Sequence, residues 1–491
     1  MNTLLILADQ LRADCLGCYG GGARTPHLDR LAVEGVRLER AYTVTSICSP
    51  ARVSMLTGTY PHRHGVRANT DQSTVWQCSE IPDGTWTCAG DLTAAGVRLG
   101  WSGKWHCGER RLPRDLGFAG MQAGGYGNPY ALAEYDTYLA RHGLTLPHPM
   151  LRDLKRVSGG RIPGIADPGM FTIPGVPWTG SLLPGPAAAG EAAFVAASAI
   201  DQLREHAATG RPFVQVCSFW GPHHPYHLPE PWASLYRPED VILPPTWRED
   251  LAAKPVFQQR HAQAFYCERL AFGEAEWRRI MARYWGYISW IDHEIGRLLA
   301  ELDRLGLAGS TAVLFTADHG DMNGAHGGIW DKGEYMYEDT YRIPLLARVP
   351  GMPCGASSRG FAMNMDLAPT LLDLAGLPVP NGLDGVSLLP LLRTPAIPAG
   401  WRDDLMAECQ GLRVAYPQRL LRWGDWKLVH NLSDRDELYD LAGDPQELVN
   451  RIDHPACAAV RLEGRERLRR RMREGQDPFL GSAWQLQAHF G

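Results

Sequence analysis

Apolar runs of strand length alternate along the chain with longer stretches whose apolar residues recur at helical spacing. The runs Leu4 to Leu7, Phe213 to Phe219 and Thr311 to Thr316 predict strands buried on both faces. Helical spacing predicts helices over Thr25 to Glu34, Pro50 to Leu56, Glu191 to His206, Glu276 to Leu302 and Asp366 to Leu377. Strand and helix in alternation predict an α/β fold, a mostly parallel sheet with helices on both faces. From Gly108 to Pro186 the pattern gives way to Gly- and Pro-rich sequence with one helical patch, Tyr130 to His142, and reads as an insertion that shapes a surface. Pro378 to Pro398 reads as a linker. Beyond it, short runs at Arg419 to Trp423, Trp426 to His430 and Glu437 to Leu441, then a helix over Val460 to Glu474, predict a small α+β domain with an antiparallel sheet. The expected division is a catalytic domain over 1–395, with its loop-rich insertion about 108–186, and a C-terminal domain over 396–491. Arg465 to Arg473 is interleaved with Glu463, Glu466 and Glu474, which predicts a solvated helix face.

Composition narrows the function classes. The 491 residues carry a net charge of −5, which argues against a general nucleic-acid binder, and 45% hydrophobic content supports a sizeable core. Fifty-three glycines and 36 prolines imply many shaped loops. The eleven cysteines, an odd number spread from Cys15 to Cys457, read as reduced thiols of a cytoplasmic protein. The first apolar run stops at Asp9 and has no basic flank, so it reads as a strand and not a signal peptide. No apolar stretch approaches the roughly 20 residues of a membrane span, so no membrane association is expected. Cys15-Leu16-Gly17-Cys18 lacks a second pair to complete a zinc site and reads as packing. Gly20-Gly21-Gly22 has no following Lys-Ser/Thr, and no Gly-x-Ser-x-Gly elbow occurs.

The candidate chemistry lies where strands end. Parallel strands deliver functional groups at their carboxyl ends. Leu4 to Leu7 runs into Asp9-Gln10, and Thr311 to Thr316 into Asp318-His319-Gly320-Asp321. Two carboxylates, an amide oxygen and an imidazole on one edge suit a divalent cation, the oxygens favouring calcium or magnesium and the imidazole admitting manganese or zinc. Capped turns would account for either motif alone. In Cys48-Ser49-Pro50-Ala51-Arg52, Pro50 fits a first helical turn and Gly58 a stop. Cys48 then sits at a helix N-terminus that favours an anion, with Arg52 one turn on. A buried thiol at an ordinary helix start is the other reading.

Cys48-Ser49-Pro50-Ala51-Arg52 resembles the Cys/Ser-x-Pro-x-Arg signature of the type I sulfatases, continuing through Leu56-Thr57-Gly58. Further similar blocks are Gly103-Lys104-Trp105-His106, Pro222-His223-His224-Pro225, Asp318 to Asp321, Trp330-Asp331-Lys332, Trp426-Lys427-Leu428 and Glu437 to Leu441. The resemblance implies the alkaline-phosphatase-like fold and oxidation of Cys48 to formylglycine by a maturation enzyme. It implies a hydrated aldehyde that attacks a small anionic sulfate ester and then expels sulfate. Asp9, Gln10, Asp318 and His319 would form the metal shell with modified Cys48, calcium being the first candidate and manganese or zinc the others. Arg52 would hold the formylglycine hydroxyl and a sulfate oxygen. Lys104 and Lys332 would clamp sulfate, His106 would lie beside the hydrate, and His223 with Lys332 would protonate the leaving oxygen. Asn69 and His224 are candidates for further substrate contacts. Gln10 and His319 replace an Asp and an Asn of the commoner pattern. These changes resemble choline-sulfatase-like enzymes and the related phosphonate monoester hydrolases, so phosphonate or phosphodiester hydrolysis at the same site is the alternative. The alcohol portion and the oligomeric state, a homo-oligomer included, are open at this point.

Overall fold

Among the described residues an eight-stranded sheet runs, in spatial order, Ala356–Ser358, Val36–Leu38, Leu345–Arg348, Thr311–Ala317, Asn2–Asp9, Phe213–Pro222, Arg98–Gly103 and Phe118–Gly120. The computed structural model describes residues 1–70, 78–153, 180–264, 272–394, 396–412 and 414–481. Neighbouring strands are parallel except Leu345–Arg348, which is antiparallel to both neighbours. Alternating side chains explain the continuous apolar runs. Leu5, Leu7, Val214 and Val216 turn to one face, against helices Cys48–Thr57, Cys88–Ala94 and Leu367–Leu374. Helices Glu191–Thr209 and Glu274–Arg304 cover the other face, with Pro26–Val33 beside the second. The fold is the expected α/β one.

Two segments of this part of the chain differ from expectation. Phe118–Gly120, inside the expected insertion, pairs with Arg98–Gly103 as the sheet's edge strand; three residues carry no readable period. Ala133–His142 is helical as expected, while 154–179 of the insertion lie outside the described residues. The stretch read as a linker contains a helix, Leu389–Arg393, whose Leu389, Leu391 and Leu392 are buried in the main core. Its flanking prolines masked a short helix that only packing stabilises.

The C-terminal sheet is antiparallel throughout, in the order Asp404–Cys409, Gln418–Trp423, Trp426–Asn431, Glu437–Asp440. Its first strand was not expected, because Asp404 and Glu408 bracket a run without β-branched residues. The arginine run is not simply a solvated face. Asp404 is fully buried and takes Arg467 at 3.0 Å, Arg471 at 2.5 Å and Arg470, which fastens the Ala458–Glu474 helix to that strand. Apolar residues of this sheet share one core with Tyr42, Val44 and Ile47, so it supports the chain entering Cys48.

A second tie is ionic. His62 Nδ1 lies 2.5 Å from Glu408 Oε2, and Nε2 lies 2.8 Å from the Gly475 carbonyl. Both partners only accept, so the ring carries both protons. Burial opposes that charge, but Glu408 outweighs it and raises the His62 pKa. A raised folded-state value means that the stabilisation is complete below the unfolded pKa of about 6.5 and is lost as pH rises through the folded one. In urea unfolding, His62→Gln should cost about 2 kcal/mol near pH 6, and the difference from wild type should shrink as pH rises through the raised folded-state value. A constant difference would remove the imidazolium from this role.

Candidate active site

The central strands bring their carboxyl ends to one edge. Asp9 closes Asn2–Asp9, and Asp318-His319 follow the adjacent Thr311–Ala317. Lys104 follows Arg98–Gly103, and His223 follows Phe213–Pro222 on the other side. Gly103 makes Lys104's place available: at φ +101° it needs no side chain, and a Cβ there would lie 1.9 Å from the Ser218 carbonyl oxygen. Cys48 is the first residue of Cys48–Thr57, and Arg52 lies one turn on. The entry to this helix is fixed by Ser46 Oγ donating to the Gly333 carbonyl at 2.8 Å. The Ser49 N–H donates to Asn69 Oδ1 at 3.0 Å. Asn69 thus holds the Cys48–Thr57 helix at its first turn.

Asp318 is the hub. Its Oδ1 accepts from the backbone N–H groups of Gln10 at 3.0 Å and His319 at 2.9 Å, and its Oδ2 accepts from Arg52 Nε at 2.8 Å. Arg52 is locked further by Nη1 donating to the Lys104 carbonyl at 3.1 Å and to Ser218 Oγ at 2.9 Å. Its Nη2 has no hydrogen-bond partner and lies 3.6 Å from Asp9 Oδ1, which has none either. Asp9 Oδ2 takes the Lys104 ammonium. His319 donates Nδ1–H to the Gly320 carbonyl at 2.8 Å, which leaves the Nε2 lone pair facing Cys48 Sγ at 3.1 Å. Asp9, Cys48, Asp318 and His319 each offer one ligand atom, all within 4.8 Å of one another.

Gln10 enters differently from a simple ligand. Its Nε2 donates to Asp321 Oδ2 at 2.8 Å and Asp331 Oδ1 at 2.9 Å, and its Oε1 accepts from Lys332. Gln10, His106 and Asp331 all have positive φ, at 62°, 53° and 72°, a strain of about 1 kcal/mol or more each, collected at one site. His223 donates Nδ1–H to the His224 carbonyl, so Nε2 carries the lone pair. His224 lies one ring further out, its ring 4.2 Å from that of His223 and 5.5 Å from Trp330.

Burial and charge set the protonation states. Burial pushes the Cys48 thiol up to about 12 against the pull of Lys332, so it is a neutral thiol and not a thiolate. Burial alone would raise Asp9, but Lys104 and Arg52 hold its carboxyl well below the ordinary range. His106 is kept neutral by burial and by Lys104, and His223 by burial and by Lys332. Lys332 is buried, which opposes its charge, yet the carboxylates of Asp331 and Asp9 raise its pKa.

The site can now be set beside known proteins. A family model described as sulfatase matches residues 1–377. The chain belongs to the sulfatase family. A second model, described as N-sulphoglucosamine sulphohydrolase, C-terminal, matches 324–474. The chain is 30% identical to an arylsulfatase of Clostridium perfringens over 95% of each protein. It is 30% identical to a choline-sulfatase of Rhizobium meliloti over 92% of this chain and 83% of the relative. The phosphonate monoester hydrolase of Agrobacterium radiobacter superposes with a TM-score of 0.79 at 27% identity over 96% of each chain. The protein is a sulfuric ester hydrolase with the sulfatase fold.

The structure of this sulfatase adds residues that motif reading did not single out. Asp321 and Asp331 orient Gln10; both stand inside motif blocks quoted above, where no role was assigned to them, so their sequence position was a usable signal. Ser218, which holds Arg52, and Tyr126, whose ring lies 4.0 Å from Lys104 Nζ, had no such signal. No helix of the described residues is long and apolar enough to cross a membrane, and every described cysteine is a free thiol.

Proposed function

We propose that this sulfatase hydrolyses a small anionic sulfate monoester with residue 48, oxidised from cysteine to formylglycine by a maturation enzyme, as nucleophile beside a divalent cation. The observation that carries the reading is Cys48 itself. It is a protonated thiol at a helix N-terminus, facing His319 Nε2 and the charges of Asp9, Asp318 and Lys332. A neutral buried thiol is a poor nucleophile, and its sulfur adduct would have no easy exit. The hydrated aldehyde supplies one hydroxyl for attack and a second whose deprotonation expels sulfate.

The donor set fits a cation. Asp9 Oδ1 is a buried carboxylate oxygen without a hydrogen-bond partner, and His319 Nε2 presents a lone pair to the same point. Asp9, Asp318, His319 and residue 48 would hold it, and Gln10 Oε1 keeps a second lone pair for it. Calcium leads on the oxygen donors, while the imidazole admits manganese or zinc. When bound, the ion would neutralise charge on the sulfate oxygens and lower the nucleophile's pKa.

The protein's own groups divide the remaining work. Arg52 presents Nη2 from a guanidinium that Asp318, Ser218 and the Lys104 carbonyl hold still. Lys104 and Lys332 supply cationic clamps for the sulfate oxygens. His106, neutral and with neither ring nitrogen hydrogen-bonded, is the base for a residue 48 hydroxyl. Lys332 is the proton source for the leaving oxygen, with neutral His223 as the relay. Lys332→Ala should therefore cut kcat about 100-fold or more for esters of poor leaving groups and far less for 4-nitrophenyl sulfate. Equal losses would remove Lys332 from the acid's role.

Intact-protein mass spectrometry after co-expression with a formylglycine-generating enzyme tests the nucleophile, and metal analysis of the purified protein tests the cation. Rates on matched aryl sulfate, aryl phosphodiester and aryl phosphonate esters test the reaction. The likeness to the phosphonate monoester hydrolase supports a second reading, hydrolysis of phosphonate monoesters or phosphodiesters at the same site. Faster turnover of a phosphorus ester would put that reading first.

A further inference from the structure

Tyr126 lies outside every motif discussed so far, in the loop Gly124-Gly125-Tyr126-Gly127. Its ring faces Lys104, with Nζ 4.0 Å from the centroid. Its hydroxyl is 3.3 Å from His223 Nδ1, and its ring meets that of His106 edge-on at 5.5 Å. Tyr126 is held in turn. The Trp220 indole N–H donates to its carbonyl at 2.7 Å. Gly125 and Gly127 take φ of 61° and 75°, and a Cβ on Gly127 would lie 3.1 Å from the Trp220 ring. The loop is therefore shaped to present this one ring.

We propose that Tyr126 is a positioning residue for the hydrolytic reaction, its ring face fixing the Lys104 ammonium and its hydroxyl fixing the His223 imidazole. The proposal rests on the roles given above to those two side chains. Lys104 ends a flexible four-carbon stem whose ammonium also meets Asp9. The electron-rich ring face gives that charge a second fixed partner without neutralising it, so it stays available to a sulfate oxygen. On the other side, His223 Nδ1–H is shared between the His224 carbonyl and the Tyr126 hydroxyl. That pair sets the ring plane and leaves Nε2 as the nitrogen presented to the leaving oxygen. One side chain thereby ties the clamp on the sulfate to the relay at the alcohol.

The two contacts separate by substitution in the full-length protein carrying formylglycine at position 48. Tyr126→Phe keeps the ring and loses the hydroxyl. It should leave KM for 4-nitrophenyl sulfate within about 2-fold and lower kcat about 5-fold for alkyl sulfates, with little change for the aryl ester. Tyr126→Leu loses the ring and should raise KM about 10-fold. It should also weaken binding of inorganic sulfate, measured by calorimetry, by about 10-fold, an affinity that Tyr126→Phe restores. Unchanged sulfate affinity in Tyr126→Leu, or one uniform kcat loss in both variants whatever the leaving group, would overturn the proposal and leave Tyr126 as packing. Sulfate binding needs no turnover. Wild-type protein that binds sulfate but hydrolyses none of the esters would refute the reaction assigned above, while calorimetry of the two variants still decides the role of Tyr126.

Discussion

Cys48→Ala is expected to lose ester hydrolysis by on the order of 10⁴-fold or more while the protein stays folded. Removing one buried sulfur from a fully packed helix start costs about 1 kcal/mol, which does not unfold a protein of this size. The chemical loss is large because residue 48 is the group that shares the point faced by Asp9, Asp318 and His319 and to which the attack is assigned. Cys48→Ser separates attack from release. Prepared without a maturation enzyme, it offers one hydroxyl at residue 48, so it can take up sulfate and free one alcohol but has no second hydroxyl to expel the ester. Rapid-quench measurement should find at most one equivalent of alcohol per protein, with the mass of one SO3 group added, since the ester oxygen leaves with the alcohol and the serine keeps its own. Sustained turnover by Cys48→Ser would refute the two-hydroxyl mechanism.

The second large effect is on stability. Asp318→Ala should lower unfolding free energy by about 3–5 kcal/mol, measured by urea unfolding at neutral pH, and abolish hydrolysis. Three donors lose their acceptor at once: the N–H groups of Gln10 and His319 and the Arg52 guanidinium. Arg52 is 1% exposed and would keep only Asp9, at 3.6 Å, as an ionic partner. A buried cation stripped of its hydrogen-bonded carboxylate costs more than the pair contributes, because desolvation is no longer compensated. Asp318→Asn, which keeps the shape and one acceptor, should recover part of the stability and little of the activity. Equal stability of Asp318→Ala and wild type would show that solvent reaches Arg52.

Much of the site was legible from local pattern. Strand runs that stop at an acidic residue announced Asp9 and Asp318, and Pro50 and Gly58 bracketed the helix that Cys48 opens. The structure gathers Asp9, Cys48, Arg52, Lys104, Asp318, His319 and Lys332 around one point. Other features left no local trace. Gln10 was read as a metal ligand by its place after Asp9; the partners that orient its carboxamide, Asp321, Asp331 and Lys332, lie more than 300 residues away and were not readable as its partners. Asn69, expected near substrate, spends its oxygen on the Ser49 N–H. The Asp404–Cys409 strand hid behind its two buried carboxylates, each of which acquires basic partners only after folding.

The sequence by itself determined the layered α/β plan and the residue types at the strand ends. Period and punctuation are properties of adjacent residues, and a buried parallel strand has few alternatives to a continuous apolar run. It also determined Cys48-x-Pro-x-Arg52, because a helix start needs nothing beyond its own few residues. Tertiary structure alone decided the side-chain partnerships: Arg52 with Asp318 and Ser218, Gln10 with its two carboxylates, Lys104 with Tyr126. Those choices are electrostatic and geometric matches between segments distant in the chain. Their energies exist only once water has been excluded and the strands have brought the groups within hydrogen-bond reach.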